Sequence, residues 1–462
     1  MTSPGGPVGA EPTDLHPVSL REATRVWGYV GLNSFGGPAG QIAVMHREVV
    51  DKRRWLSEAR FLHALNYCMV LPGPEAQQLA TYVGWLMHGV RGGAIAGALF
   101  VIPGFVVMMA LSIVYAVFGQ VGWVAGALFG LQAAVVAIVI QAVIRVGGRT
   151  LHSTFLRTVA ALAFAALYFF GVPFPIVILV AGLAGWLVGR SRPEWIPTAR
   201  RSATAVTDDR PHLLPDDEAV DPAMARGARR AAVLALVLWL IPVLALILAL
   251  GTDHIFTQQA ILFSKTAVIT FGGAYAVLAY VSQQAVGVYG WISPTDMVTG
   301  LGLAETTPGP LIMVVQFVGF LAAYNNPGTL PPLLAGVIGA CITVWVTFLP
   351  CFFFIFAGAP YVERLRHSQA LRHALAGIGA AVVGVIANLA VWFALTTAFG
   401  TVTVTQWGPA QVWVPDWSTV QWSSLAITAL AMVLVFRVKT ATLRVLAICA
   451  IAGVAAALTG LT

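Results

Sequence analysis

RFLHALNYCMVLPGPEAQQLATYVGWLMH (60–88) is apolar enough to enter lipid, yet Leu71-Pro72-Gly73-Pro74 interrupts it near its middle. Proline removes a backbone donor and glycine frees φ, so one helix stops there and another starts. Backbone groups released at membrane depth persist only where protein buries them or where they line a watery cavity. A second break lies upstream, in Ser34-Phe35-Gly36-Gly37-Pro38. Both breaks recur 236 residues later: Phe35-Gly36-Gly37 as Phe271-Gly272-Gly273, and Pro72-Gly73-Pro74 as Pro308-Gly309-Pro310. Trp55-Leu56-Ser57 returns as Trp291-Ile292-Ser293 at the same offset. Three unusual patterns in one register mark an internal duplication. The register slips at Tyr324-Asn325-Asn326-Pro327-Gly328-Thr329, which reads as an insertion.

The rest of the chain agrees about the solvent. Of 462 residues, 58% are hydrophobic and 10% charged, against about 25% charged in soluble proteins. Apolar runs of membrane length recur along both halves, so the expected fold is an all-α polytopic membrane protein. Soluble enzymes, nucleic-acid binders and secreted disulfide scaffolds are excluded. The net charge of +7 reflects basic loops of the kind that set orientation, with no nucleic-acid partner implied. Cys68, Cys341, Cys351 and Cys449 lie in apolar stretches without metal-like spacing and read as packing residues. No metal site, cofactor motif or catalytic nucleophile is visible, so the chain is not read as an enzyme.

Charge then places the loops. HREVVDKRRWLSEAR (46–60) holds Arg47, Lys52, Arg53, Arg54 and Arg60, whereas its counterpart SQQAVGVYGWISPTD (282–296) has neither Lys nor Arg. Later the bias reverses: the 119–123 link is uncharged and YVERLRHSQALRH (361–373) is basic. Basic loops stay in the cytoplasm, so the halves are expected to be inverted-topology repeats. Charge bookkeeping closes if 26–45, 61–90, 257–281 and 297–323 are re-entrant helical hairpins broken by Pro and Gly. Full spans are then expected near 93–118, 123–144, 155–170, 174–190, 231–250, 333–357, 374–398, 423–437 and 445–461. The expected divisions are a disordered, cytoplasmic N-terminus (1–20), a first repeat (21–190), a cytoplasmic linker (191–230) and an inverted second repeat (231–462). The Trp-rich loop 401–422 falls outside, at an interface.

Pro38, Pro74 and Pro310 each suit the first turn of a helix beginning after its break. Four such helix starts would sum to a partial charge of about +2 if they converged, which matches a small dianion. The candidate substrate-binding residues are Ser34, Gly36, Gly37, Gly73, Pro74, Gln77, Gln78, Lys265, Thr270, Gly272, Gly273, Thr306, Thr307 and Gly309. The hydroxyls of Ser34, Thr270, Thr306 and Thr307 are expected to donate to oxyanion oxygens. Lys265 is the only lysine within an apolar segment, where an apolar residue would be cheaper. Glu75 and Glu305 flank the two Pro-Gly-Pro breaks, either as helix-end charge complements or as proton carriers.

The runs SFGGPAGQIAVMHREVV (34–50), RFLHALNYCMVLPGPEAQQLATYVGWLMH (60–88), KTAVITFGGAYAVLAYVSQQAV (265–286) and GLGLAETTPGPLIMVVQFVGF (300–320) resemble the two-domain chromate ion transporter family. The resemblance covers about Val26 to Phe356 and fades in the linker and the last hundred residues. It implies chromate efflux across a bacterial cytoplasmic membrane, conferring chromate resistance, with sulfate or another oxyanion taken up by proton coupling as the alternative. The implied partners are a small oxyanion and the lipid bilayer. The oligomeric state is open, a homo-oligomer included.

Overall fold

A computed structural model describes residues 18–196, 212–214, 221–271, 274–359 and 369–460. Gly272 and Gly273, most of the N-terminal stretch 1–17, most of the linker and the basic segment 360–368 lie outside these residues.

The chain opens with two broken-helix pairs. α1 (Leu20–Asn33) is capped by Ser19 and ends at Ser34; α2 (Gly37–His46) restarts with Pro38 in its first turn. A π-helical turn over Arg47–Lys52 leads to α3 (Glu58–Cys68), capped by Ser57. After the Pro-Gly-Pro break comes α4 (Glu75–Phe118), which leaves helical geometry at His88 and Gly89. α5 (Gly122–Thr150), α6 (Thr154–Tyr168) and α7 (Phe174–Ser191) complete the first half. α8 (Pro222–Leu250) then carries the chain into the second.

The second half repeats the opening pattern. α9 (Ile255–Ile269) and α10 (Ala274–Ser282) flank the Thr270–Gly273 break, and a π-helical turn follows at Gln283–Val288. α11 (Pro294–Thr306) is capped by Ser293; a 3-10 turn at Leu311–Met313 leads into α12 (Val314–Asn325). α13 (Pro332–Gly358) and α14 (Gln369–Ala398) follow, then strands β1 (Val402–Trp407) and β2 (Ala410–Pro415), then α15 (Trp422–Met432) and α16 (Thr442–Leu458).

The 236-residue offset relates local structure as well as sequence. Both π turns fall at equivalent positions, 47–52 and 283–288. Trp55 N donates to Val49 O at 2.7 Å, and Trp291 N to Ala285 O at 2.8 Å. The residue before each tryptophan takes positive φ, +51° at Arg54 and +62° at Gly290. Such agreement down to single dihedrals shows that the shared residues impose the same turn twice.

Among the described residues six helices are long and apolar enough to cross a membrane: α4, α5, α7, α8, α13 and α14. Of the nine expected spans, three fall short of that length, at Thr154–Tyr168, Trp422–Arg437 and Thr442–Leu458. At 1.5 Å per residue the first of these covers only about 22 Å of a hydrocarbon layer about 30 Å thick. One face of α8 exposes Leu240, Ile241, Leu244 and Leu248, which suits lipid rather than water. α5 and α16 approach closely through Gly126, Gly130 and Gly453, the small-residue contact common between membrane helices.

Two expectations about loops are corrected. The 401–422 stretch is an antiparallel hairpin in part, turned at Gly408-Pro409, because Val402–Trp407 and Ala410–Pro415 alternate with period two. Within the expected linker, Pro222 starts α8 and the Asp221 carboxylate accepts from Ala223 N at 2.8 Å. The linker residues Leu213 and Leu214 also bond, through their backbone N–H groups, to the carbonyls of Arg54 and Trp55 at 3.1 and 3.2 Å.

Near that dock, buried Glu48 accepts from Lys52 at 2.8 Å and from Arg53, with Arg47 at 3.7 Å. Burial raises the Glu48 pKa, but the bonds and charges of Lys52 and Arg53 outweigh it and leave it below the ordinary carboxylate value.

Candidate functional site

The four breaks meet in pairs, each pair joining opposite halves. Gly309 N donates to Ser34 O at 2.9 Å, and Gly73 N donates to Thr270 O at 2.9 Å. These bonds are the same bond twice, because Ser34 and Thr270 are 236 residues apart and so are Gly73 and Gly309. Helix ends release backbone groups, and the breaks satisfy some of them across the two halves.

The glycines permit that approach. Gly73 has φ +123° and Gly309 φ +86°, both in territory closed to most L-residues. Gly309 lies directly against the α4 backbone at Phe100 and Gly104. Gln41, one turn into α2, clamps the crossing by donating Nε2 to Gly309 O at 2.6 Å.

The polar side chains are placed as follows. Ser34, Gln77, Gln78, Thr270, Thr307 and Glu305 are buried, while Thr306 and Glu75 are half-buried. No side chain caps α2, α4 or the Leu311–Met313 turn, although the helix starts at α3 and α11 are capped by Ser57 and Ser293. The starts at Gly36-Gly37, Pro74 and Pro310 therefore keep N-terminal donors uncommitted to any cap.

Two expectations about donors change. The hydroxyls of Ser34, Thr270, Thr306 and Thr307 donate back into their own helices, to Val30 O, Thr266 O, Leu303 O and Ala304 O. This back-bonding is the usual local alternative for Ser and Thr in helices. In this conformation the hydroxyls turn lone pairs, not protons, to the crossing. Gln77 and Gln78 also commit their amide donors, to Thr81 Oγ1 at 3.2 Å and Pro72 O at 2.7 Å. The uncapped backbone N–H groups are thus the better oxyanion donors.

Lys265 is not brought to the crossing. It is exposed on α9, on the side that carries Val268, whereas Thr266 and Thr270 turn inward. The helical period separates these sides, and a long ammonium side chain is cheapest where it can leave the apolar layer.

Three residues escape the sequence reading. Gln41 is one. Tyr275, just after the third break, donates its hydroxyl to Glu305 Oε1 at 2.6 Å. Arg145 of α5 lies close enough for its charge to act on both Glu305 and Tyr275. Gln41 could have been noticed as an amide one turn after Pro38. Arg145 fell just beyond a span drawn to end at 144.

A cavity of about 310 Å³ lies elsewhere, at the other end of α11. Tyr115, Gln120, Gln132, Asp296, Tyr324 and Asn325 line it, with the Tyr115 hydroxyl donating to Asp296. It is a polar vestibule between α4, α5, α11 and α12, distinct from the crossing. Among the described residues no group of three or more His, Cys, Asp or Glu could hold a metal.

Long apolar helices surrounding a buried crossing of broken ones define a multi-pass membrane transporter. Sequence comparison makes the class specific. The profile of the family described as Chromate transporter matches residues 21–186 and 257–454, two segments that start 236 residues apart (257 − 21). The chain belongs to that family. It is 34% identical to a chromate transport protein of Pseudomonas aeruginosa, over 80% of this chain and 79% of that protein. A probable chromate transport protein of Synechococcus elongatus is 27% identical over 82% of this chain and 85% of its own length. A chromate transport protein of Cupriavidus metallidurans is 25% identical, over 83% and 84%. No solved structure matches the chain.

Proposed function

We propose that this protein exports chromate from the cytoplasm across the cell membrane and so confers chromate resistance. The observation that carries the reading is the doubled bond at the crossing, Ser34 O to Gly309 N and Thr270 O to Gly73 N, among uncapped helix starts. Oxyanion oxygens would accept there from backbone N–H groups of α2, α4, α10 and the Leu311 turn, with the helix ends supplying partial positive charge. Gly36, Gly37, Gly272, Gly273, Gly73, Pro74 and Gly309 shape the space; the Ser and Thr hydroxyls join by rotating a proton away from their helix carbonyls.

The doubled bond also supports the inverted-repeat reading. Exchanging the halves maps one bond onto the other, as a two-fold axis through the crossing would require. With the 46–60 loop and the linker in the cytoplasm, the Tyr115–Asp296 vestibule opens outside and serves as the exit. Glu75 and Glu305 are the proton-coupling candidates. Ionised, each cancels part of the helix-start field; protonated, each leaves that field to the anion. The energetics favour export, since a dianion leaving down about 100 mV, inside negative, releases about 4.6 kcal/mol. No observation favours sulfate, and the relatives that carry a substrate in their names are named for chromate.

Cells preloaded with labelled chromate test the direction. Cells producing the protein should lose chromate faster than cells carrying an empty vector. Equal rates of loss would end the export reading.

A further inference from the structure

We propose that Arg145 is a substrate-binding residue, receiving the oxyanion on the cytoplasmic side of the crossing in competition with Glu305. The proposal rests on the chromate reading above and deepens it.

The placement follows from helix packing. α5 and α11 run side by side in the same direction, since Gln132 Nε2 donates to Thr299 Oγ1 at 2.8 Å and Gly302 packs against Leu131 and Val135 one turn on. α11 stops at Thr306, beside the fourth break, while α5 continues to Thr150. From Gly302 to Glu305 is about 4.5 Å along the axis, and from Val135 to Arg145 about 15 Å. Arg145 therefore leaves α5 about 10 Å beyond the level of Glu305, within the reach of an arginine side chain.

The chemistry there is unbalanced. Glu305 is buried and takes one hydrogen bond, from Tyr275. Arg145 is exposed and forms no ion pair among the described residues, although its charge acts on Glu305 and Tyr275. An arginine that served only to neutralise Glu305 would close onto it with its planar fork, as Arg–carboxylate pairs do. This one stays open, facing the access side of a buried carboxylate. A guanidinium presents donors in a fork that matches two oxygens of a tetrahedral oxyanion and cannot lose its charge. A dianion arriving at Arg145 draws the guanidinium charge away from Glu305, so anion and carboxylate compete for one cation. Tyr275 holds Glu305 in place throughout.

The test measures chromate affinity by equilibrium dialysis with labelled chromate, using the purified full-length protein in detergent. Arg145→Gln should weaken binding at least about tenfold, and Arg145→Lys should recover part of the loss. The double variant Arg145→Gln/Glu305→Gln separates substrate contact from charge balance. If Arg145 meets the anion, the double variant stays weak. Recovery of wild-type affinity in the double variant would make Arg145 only a counter-ion of Glu305 and overturn the proposal, as would unchanged affinity in both single Arg145 variants. Wild-type protein that binds no chromate would instead refute the functional reading on which this one stands. Arg145→Lys keeps the charge and the fold, so it carries the test if Arg145→Gln proves unstable.

Discussion

Replacing Gly73 by alanine should damage the crossing far more than the same change at Gly36. Gly73 sits at φ +123°, well outside the left-handed region an alanine can reach. Forcing it there costs about 1–3 kcal/mol. The new Cβ would stand 2.8 Å from Gln78 Nε2 and 2.9 Å from Cys351 Sγ, closer than real Cβ contacts. Overpacking of that kind adds about 1–3 kcal/mol. The total is about 2–6 kcal/mol unless the break gives way, and giving way would sacrifice the bond from Gly73 N to Thr270 O. Gly36 is at φ +82°, ψ 32°, with no heavy atom within 4 Å of an added Cβ. Gly36→Ala therefore bears only left-handed strain, about 1–2 kcal/mol. Thermal unfolding in detergent and chromate flux in proteoliposomes should both rank wild type above Gly36→Ala above Gly73→Ala. The flux of Gly73→Ala should fall at least about tenfold. A Gly73→Ala protein as stable and active as Gly36→Ala would show that the break geometry is unconstrained, and the reasoning about the crossing would be wrong.

Three further outcomes are expected. Single cysteines at Asp51 and Gly287, exposed and 236 residues apart, should label from opposite faces in a cysteine-free background; labelling from one face would rule out inverted halves. Glu305→Gln should uncouple chromate flux from an imposed pH gradient without unfolding the protein, and retained coupling would assign the proton path elsewhere. Lys265→Met should leave chromate affinity within about twofold of wild type, less than 0.5 kcal/mol, since the side chain is exposed away from the buried groups; a tenfold loss would restore it to the site.

How much was legible follows from what each signal encodes. The breaks and the duplication were written in identical short runs, Phe-Gly-Gly and Pro-Gly-Pro, because only Pro and Gly interrupt a helix so sharply. Which break meets which was not legible. The pairing of Ser34 with Gly309 is a tertiary fact, carried by backbone atoms every residue possesses. Lys265 could have been set aside, because Thr266 and Thr270 share a helical face that excludes it. The inward-turned hydroxyls follow a local preference of Ser and Thr that outcompetes an absent ligand. Alternation in TVTVTQW and AQVWVP on either side of Gly-Pro predicts a hairpin, but its tryptophans drew the reading toward an interface loop. Asp221-Pro222 is a helix-start signal that the charged composition of the linker obscured. Arg145 was missed because a charge near the end of an apolar run marks the span's limit as readily as a function.

The most direct measurement is labelled chromate entry into everted membrane vesicles, whose lumen corresponds to the cell exterior. The protein should accumulate chromate in the lumen above vesicles lacking it, faster when the lumen is made positive. Vesicles that take up chromate no faster than protein-free ones would contradict chromate export through the crossing of the four breaks.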